Sequence, residues 1–151
     1  MLAAQNRVAT RCKARLRFEL LKILLVDDNP PILESTRGLL VRLGYEVATA
    51  SDGFGALKLL EATASGTGAE LADFDLVLMD CQMPGMDGRE TARRWRDYER
   101  EHHRPPLAII AITADDRPET LASVLAAGMN AILAKPFNEN QLQALLADWL
   151  H

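Results

Sequence analysis

Two cysteines are all the chain has, Cys12 and Cys81, and they stand too far apart in sequence to form a CxxC pair. Neither a disulfide framework nor a cysteine-ligated zinc site is expected, and such usage suits a reducing cytoplasm. Histidine is almost as scarce: of the three present, His102 and His103 are adjacent. A helix points neighbours apart, and no third ligand stands at a recognisable spacing, so both are expected in solvent. Long hydrophobic runs are missing as well. Nothing approaches the roughly 18 apolar residues of a membrane span. The N-terminus carries arginines without the apolar stretch of a signal peptide. A cytoplasmic location without direct membrane contact is the expectation. No tandem repeat is visible, which sets solenoid folds aside.

What is present is ordinary in amount and uneven in distribution. Hydrophobic residues at 48% and charged residues at 25% fit a globular domain, and 151 residues suffice to bury one core without staples. The net charge of −4 hides an asymmetry: Arg7, Arg11, Lys13, Arg15 and Arg17 face only Glu19 within residues 1–20, leaving the remaining 131 residues at −8. Residues 1–20 are therefore read as a basic extension or linker, and 21–151 as the folded domain. Arg89, Arg93, Arg94, Arg96, Arg100 and Arg104 are interleaved with Glu90, Asp97, Glu99 and Glu101 at helical pairing distances, so no direct nucleic-acid binding is expected.

From Lys22 onward, short apolar runs alternate with longer segments of helical period. The runs are Ile23 to Val26, Val47 to Ala50, Leu76 to Met79, Ala108 to Ile112 and Ala131 to Ala134. They are continuously apolar, as strands of a parallel sheet buried on both faces must be. Helices are expected from Pro31 to Leu43, Gly53 to Thr63, Gly88 to about His102, Pro118 to Ala127 and Glu139 to Leu150, with prolines opening two of them and Gly44 and Gly128 closing two. Ser65-Gly66-Thr67-Gly68 reads as a loop. Repeated strand then helix implies an α/β, doubly wound, five-stranded parallel sheet of flavodoxin-like order 2-1-3-4-5, in three αβα layers.

The polar residues that end these runs are the informative ones. The first apolar run gives way to Asp27-Asp28, the third to Asp80, the fourth to Thr113 and the fifth to Lys135. All stand at the carboxyl ends of strands, the edge where an open α/β sheet binds ligands, and strands 1 and 3 flank the crevice there. Close carboxylates repel by ~4 kcal/mol per pair at an effective dielectric near 20. Lys135 offsets one charge, and the excess invites a hard divalent cation. Magnesium suits a few carboxylates, water and a phosphate oxygen, whereas calcium wants more oxygens and zinc wants His or Cys. Taken singly, each feature has a bland explanation. Asp28 or Asn29 would cap the helix opening at the prolines, and Met83-Pro84-Gly85-Met86-Asp87-Gly88 would make a turn before a capped helix. Their joint appearance after four of five strands is what the bland explanations leave unaccounted for.

Ile23-Leu24-Leu25-Val26-Asp27-Asp28-Asn29, Leu78-Met79-Asp80-Cys81-Gln82-Met83-Pro84-Gly85-Met86-Asp87-Gly88, Ala111-Ile112-Thr113-Ala114, Ala127-Gly128-Met129 and Ala134-Lys135-Pro136-Phe137, in that order, resemble the response-regulator receiver family. The likeness runs from about Leu21 to Leu150. It implies a two-component phosphorelay domain in which Asp80 accepts a phosphoryl group from phosphohistidine. It also implies that Asp28, Asp80 and the backbone carbonyl of Gln82 bind Mg²⁺, that Asp27 holds a metal-bound water, and that Thr113 and Lys135 contact the phosphoryl oxygens. The Lys135-Pro136 bond is expected to be cis, as in the family. The donor would be a histidine kinase or histidine-phosphotransfer protein, and the domain a monomer or weak dimer. Such a domain is not a conventional enzyme; it phosphorylates and dephosphorylates itself.

The helix through Trp95 and Tyr98 and the ending Asp148-Trp149-Leu150-His151 are similar to receivers of hybrid histidine kinases. One departure from the family is Ile132, where many members carry an aromatic switch residue three positions before the lysine. A muted surface change, suited to a relay, is the expectation. Three rivals are weighed. A haloacid-dehalogenase-like phosphatase needs a second aspartate two residues after the nucleophile, where this chain has Gln82. A flavin binder needs a phosphate loop after strand 1, where Asp27 and Asp28 would repel it. A phosphorylation-independent binding module would have lost the acids or the lysine, and all are kept.

Overall fold

The computed structural model describes residues 20–64 and 73–150. Apart from Leu20, the basic extension lies outside the described residues, as does the expected loop Ser65-Gly66-Thr67-Gly68. Five strands form one parallel sheet: β1 (Lys22–Val26), β2 (Glu46–Ala50), β3 (Leu76–Asp80), β4 (Ala108–Thr113) and β5 (Ala131–Ala134), in the order β2-β1-β3-β4-β5. The crossovers are α1 (Pro30–Arg42), α2 (Gly53–Ala64), α3 (Gly88–Glu101) and α4 (Pro118–Ala126), and α5 (Glu139–Leu150) follows β5. The expected topology is the one observed. Its boundaries differ by a residue in places, and two of these shifts matter: Asp80 and Thr113 are the last residues of their strands rather than the first of the loops.

Side chains alternate across the sheet with the period of two that strands impose. Leu24, Val26, Val77, Met79, Ile109 and Ala111 meet Ala56, Leu60, Ala92, Trp95 and Val124 from α2, α3 and α4. Ile23, Leu25, Leu76, Leu78, Ile110 and Ile112 meet Leu40, Leu142, Leu146 and Leu150 from α1 and α5. Helices thus cover both faces, and β1, β3 and β4 are buried along their whole length. The two edge strands correct the expectation of double-sided burial. Only Ala50 of β2 and Leu133 of β5 are buried, because each edge strand has a neighbour on one side alone and the helices centre on the middle of the sheet.

Local chemistry sets the ends of the helices. Asn29, not Asp28, caps α1 by accepting a hydrogen bond from the Ile32 amide, and Asp87 caps α3 through the Glu90 amide. Gly44 and Gly128 follow α1 and α4 with φ of +99° and +97°, the left-handed geometry that ends a helix without a Cβ penalty. Gly88 allows a close approach: a Cβ there would collide with the Asp80 carbonyl oxygen and press on the Cys81 backbone. The start of α3 is therefore packed directly on the end of β3. The charged outer face of α3 is internally paired, Arg94 and Arg93 with Glu90 and Arg100 with Asp97. His102 and His103 are exposed, as expected.

Leu78, fully buried at the centre of β3, gauges the core beneath the site. Leu78→Ala should destabilise the domain by about 2–5 kcal/mol, read as a lower urea midpoint with an unchanged slope. A loss below 1 kcal/mol would show that the sheet tolerates a cavity directly under Asp80.

Candidate functional site

The end of β1 supplies Asp27 and Asp28, and the end of its hydrogen-bonded neighbour β3 supplies Asp80. One carboxylate oxygen from each lies within 4.8 Å of the other two. Asp27 and Asp80 are buried, at 2% and 6% exposure, whereas Asp28 is open to solvent. Two backbone amides hold the buried pair in place: Asn29 N–H donates to Asp27 Oδ1 at 2.9 Å and Gln82 N–H donates to Asp80 Oδ1 at 3.2 Å. Each is a turn closed by an aspartate on the amide two residues on, which the strand-to-loop transition makes available.

The fifth strand brings Lys135. Its Nζ stands 3.5 Å from Asp27 Oδ2 and 3.7 Å from Asp80 Oδ1, so it bridges the two buried acids. The Lys135-Pro136 bond is cis, as expected. Thr113 ends β4, buried, with its Oγ1 accepting from the Asp115 amide at 3.1 Å and its carbonyl accepting from the Lys135 amide at 2.8 Å. Of the residues singled out from sequence, Asp27, Asp28, Asp80 and Lys135 are thus brought together, and Thr113 is fixed at the same sheet edge. Gln82 turns its side chain to solvent and takes part through its backbone. Gly88 was read only as the start of a helix, and the structure adds its packing role of seating α3 against Asp80; a glycine in the first helical turn is the signal that marks it.

Matched against known families, residues 23–147 fit the response regulator receiver domain. The chain belongs to that family. Among relatives, the sensor histidine kinase GacS of Pseudomonas protegens is 34% identical over 148 residues, 98% of this chain and 15% of that protein. The receiver thus spans 13–15% of the length of the curated GacS relatives it matches. The solved receiver of the histidine kinase CKI1 from Arabidopsis thaliana, complexed with Mg²⁺, superposes with a TM-score of 0.73 at 33% identity, covering 85% of this chain and 90% of that one. The receiver of Ssk1, crystallised with the histidine phosphotransfer protein Ypd1 of Saccharomyces cerevisiae, gives 0.74 at 25% identity and covers 89% and 91%. Membership decides against the dehalogenase-like phosphatase. No helix among the described residues is long and apolar enough to cross a membrane.

The receiver's donor set is that of a hard divalent cation: carboxylate oxygens, close together and partly solvated. Cys81 adds no soft thiolate ligand, because burial pushes its thiol up to about 11. Burial acts on Asp80 too. Desolvation raises its pKa from 3.8 to about 6, against the lowering effect of the Gln82 amide and Lys135, and the charges of Asp27 and Asp28 add to the rise. A nearby cation would reverse this balance.

A carboxyl whose folded pKa exceeds its unfolded one binds its proton more tightly in the folded state. With divalent metal chelated, the receiver should therefore lose stability as pH rises from about 4 to about 6. Asp80→Asn removes the ionising group. The variant should lack that fall and exceed the parent by roughly 1–3 kcal/mol at pH 7, measured by urea denaturation at the two pH values. Equal stability of the two proteins at pH 7 would show that Asp80 carries no desolvation penalty.

Proposed function

We propose that this receiver takes a phosphoryl group from a phosphohistidine onto Asp80, with Mg²⁺ held by Asp28, Asp80 and the Gln82 carbonyl, and with Asp27 fixing a metal-bound water. The observation that carries this reading is the meeting of three strand-end carboxylates with one lysine ammonium at a single sheet edge. Asp80 Oδ1 already accepts from the Gln82 amide and faces Lys135, which leaves Oδ2 to attack phosphorus. As the new O–P bond forms, the P–N bond to the donor imidazole breaks and its electron pair returns to the ring. The divalent ion, when bound, neutralises charge on the phosphoryl oxygens. Lys135 would do the same, and the Thr113 hydroxyl would donate a hydrogen bond to a phosphoryl oxygen. Transfer of this kind depends on positioning and charge compensation more than on covalent protein chemistry.

The partner is a histidine kinase or a histidine-phosphotransfer protein. The pairing of the Ssk1 receiver with Ypd1 supports this, and so does an open groove of about 310 Å³ beside Lys135, lined by Ile32, Leu39, Pro136 and Phe137, which gives an apolar rim for a docked helix. We assign residues 21–151 to the receiver and 1–20 to an extension outside it.

Acetyl phosphate with Mg²⁺ should add one phosphoryl mass, lost on Asp80→Asn or with chelator, and Lys135→Ala should slow the gain at least tenfold while the protein stays folded. Intact-protein mass spectrometry decides; equal labelling of Asp80→Asn would place the acceptor elsewhere. A truncation beginning at Leu21 should melt and label as the full chain does. Failure of the truncated protein to fold would make the extension part of the domain.

A further inference from the structure

Two arginines on α3, seven residues apart and so on one face of the helix, reach across to α4 and the turn that follows it. Arg89 Nη1 donates to Ser123 Oγ at 2.9 Å. Arg96 donates from Nε to the Gly128 carbonyl at 2.8 Å and from Nη2 to Asn130 Oδ1 at 2.9 Å. Its third nitrogen, Nη1, pairs with Glu99 at 2.8 Å, and Glu99 in turn accepts from the Leu107 amide at 2.7 Å. Asn130 Oδ1 also accepts from the Ile109 amide at 2.8 Å. Glu99 is 4% exposed and the Arg96 side chain 14%. The C-terminal end of α4 is thus tied to α3 and to the start of β4 by charge-assisted bonds shielded from solvent, where they are strongest.

The other end of α4 is held differently. Arg117, its N-cap residue, supplies no side-chain cap. Asp115 accepts from Arg117 at 2.8 and 2.7 Å and from Thr120, bonds that stay inside the segment and move with it. What links this end to the phosphorylation site is the Asp115 amide on Thr113 Oγ1. A phosphoryl oxygen that accepts from the Thr113 hydroxyl and draws it toward Asp80 pulls on this bond, which the same oxygen accepts from the Asp115 amide.

We propose that α4 is hinged at its C-terminal end: Arg89 and Arg96 fix Ser123 to Asn130 on α3, so that loading of Asp80 moves Ala114 to Thr120 and little beyond. This rests on the phospho-acceptor reading of Asp80. It makes a local switch of a receiver that has Ile132 in the position of the aromatic ring, and it assigns Arg89 and Arg96 as positioning residues outside the transfer chemistry.

The test compares the whole chain with Ser123→Ala, which removes the acceptor of Arg89 without touching charge or core, and with Arg96→Lys, which keeps a cation beside Glu99 but loses the fork to Gly128 and Asn130. Amide shifts are recorded with Mg²⁺ and beryllofluoride, and hydrogen exchange without them. In the parent, beryllofluoride should shift Ala114 to Thr120 and spare Ser123 to Asn130. In the variants the shifts should spread to residue 128, and exchange at 121–128 in the unloaded protein should rise about 3- to 10-fold, the equivalent of one or two lost hydrogen bonds. Shifts across 123–130 in the parent as large as those at 114–120, or variants that exchange as the parent does, would overturn the hinge. Absence of any shift at Asp80 to Gln82 would instead refute the phospho-acceptor reading, and the exchange comparison would still decide on the clamp.

Discussion

Carboxylates repel, and at the carboxyl edge of this sheet three of them share a volume a few ångströms across, two of them out of solvent. Everything around the site answers that repulsion. Lys135 stands between the two buried acids, backbone amides of Asn29 and Gln82 each take one oxygen, and Asp80 still has its pKa raised to about 6, chiefly by burial, with the charges of Asp27 and Asp28 adding to the rise. The remaining negative charge gives the edge the donor set that suits a hard divalent cation. An arrangement optimised for stability alone would have replaced one acid with an amide.

Such a charge cluster keeps its geometry because its supports are rigid. Asp27 and Asp80 grow from β1 and β3, two of the three enclosed inner strands, with apolar side chains on both faces and paired strands on both sides. Gly88 lets the α3 N-terminus sit directly on the Asp80 backbone, so Asp80 is fixed from the sheet and from the following helix. Thr113 lies one strand further out, and the segment after it is tied to itself more than to its neighbours. Fixed contacts thus thin out from Asp80 toward the start of α4.

Much of this was legible in sequence for a definite reason. A parallel strand buried on both faces is a continuous apolar run, and the residue that ends the run stands at the sheet edge whatever its neighbours do. Asp27, Asp80, Thr113 and Lys135 were read in this way, and the strand order placed them together. The basic look of α3 was also correctly read as self-compensating, since pairs three and four residues apart meet on any helix. Burial of β2 and β5 was overread, because an apolar run does not say whether its strand has one neighbour or two.

What the sequence by itself determined is the set of elements, their order and the chemical types at their ends, because hydrophobic period, capping residues and strand-end polarity are local properties of the chain. Only the tertiary structure decided how charge is shared among groups far apart in sequence. Lys135 bridges Asp27 and Asp80 across three strands, and Arg96 joins Gly128 and Asn130 while Glu99 turns inward to Leu107. On the linear chain Arg96 and Glu99 are one more helical ion pair beside Asp97 and Arg100. The packing of α3 against β4 and the end of α4 buries the first pair and leaves the second in water, and burial is what separates a structural clamp from a solvated surface pair.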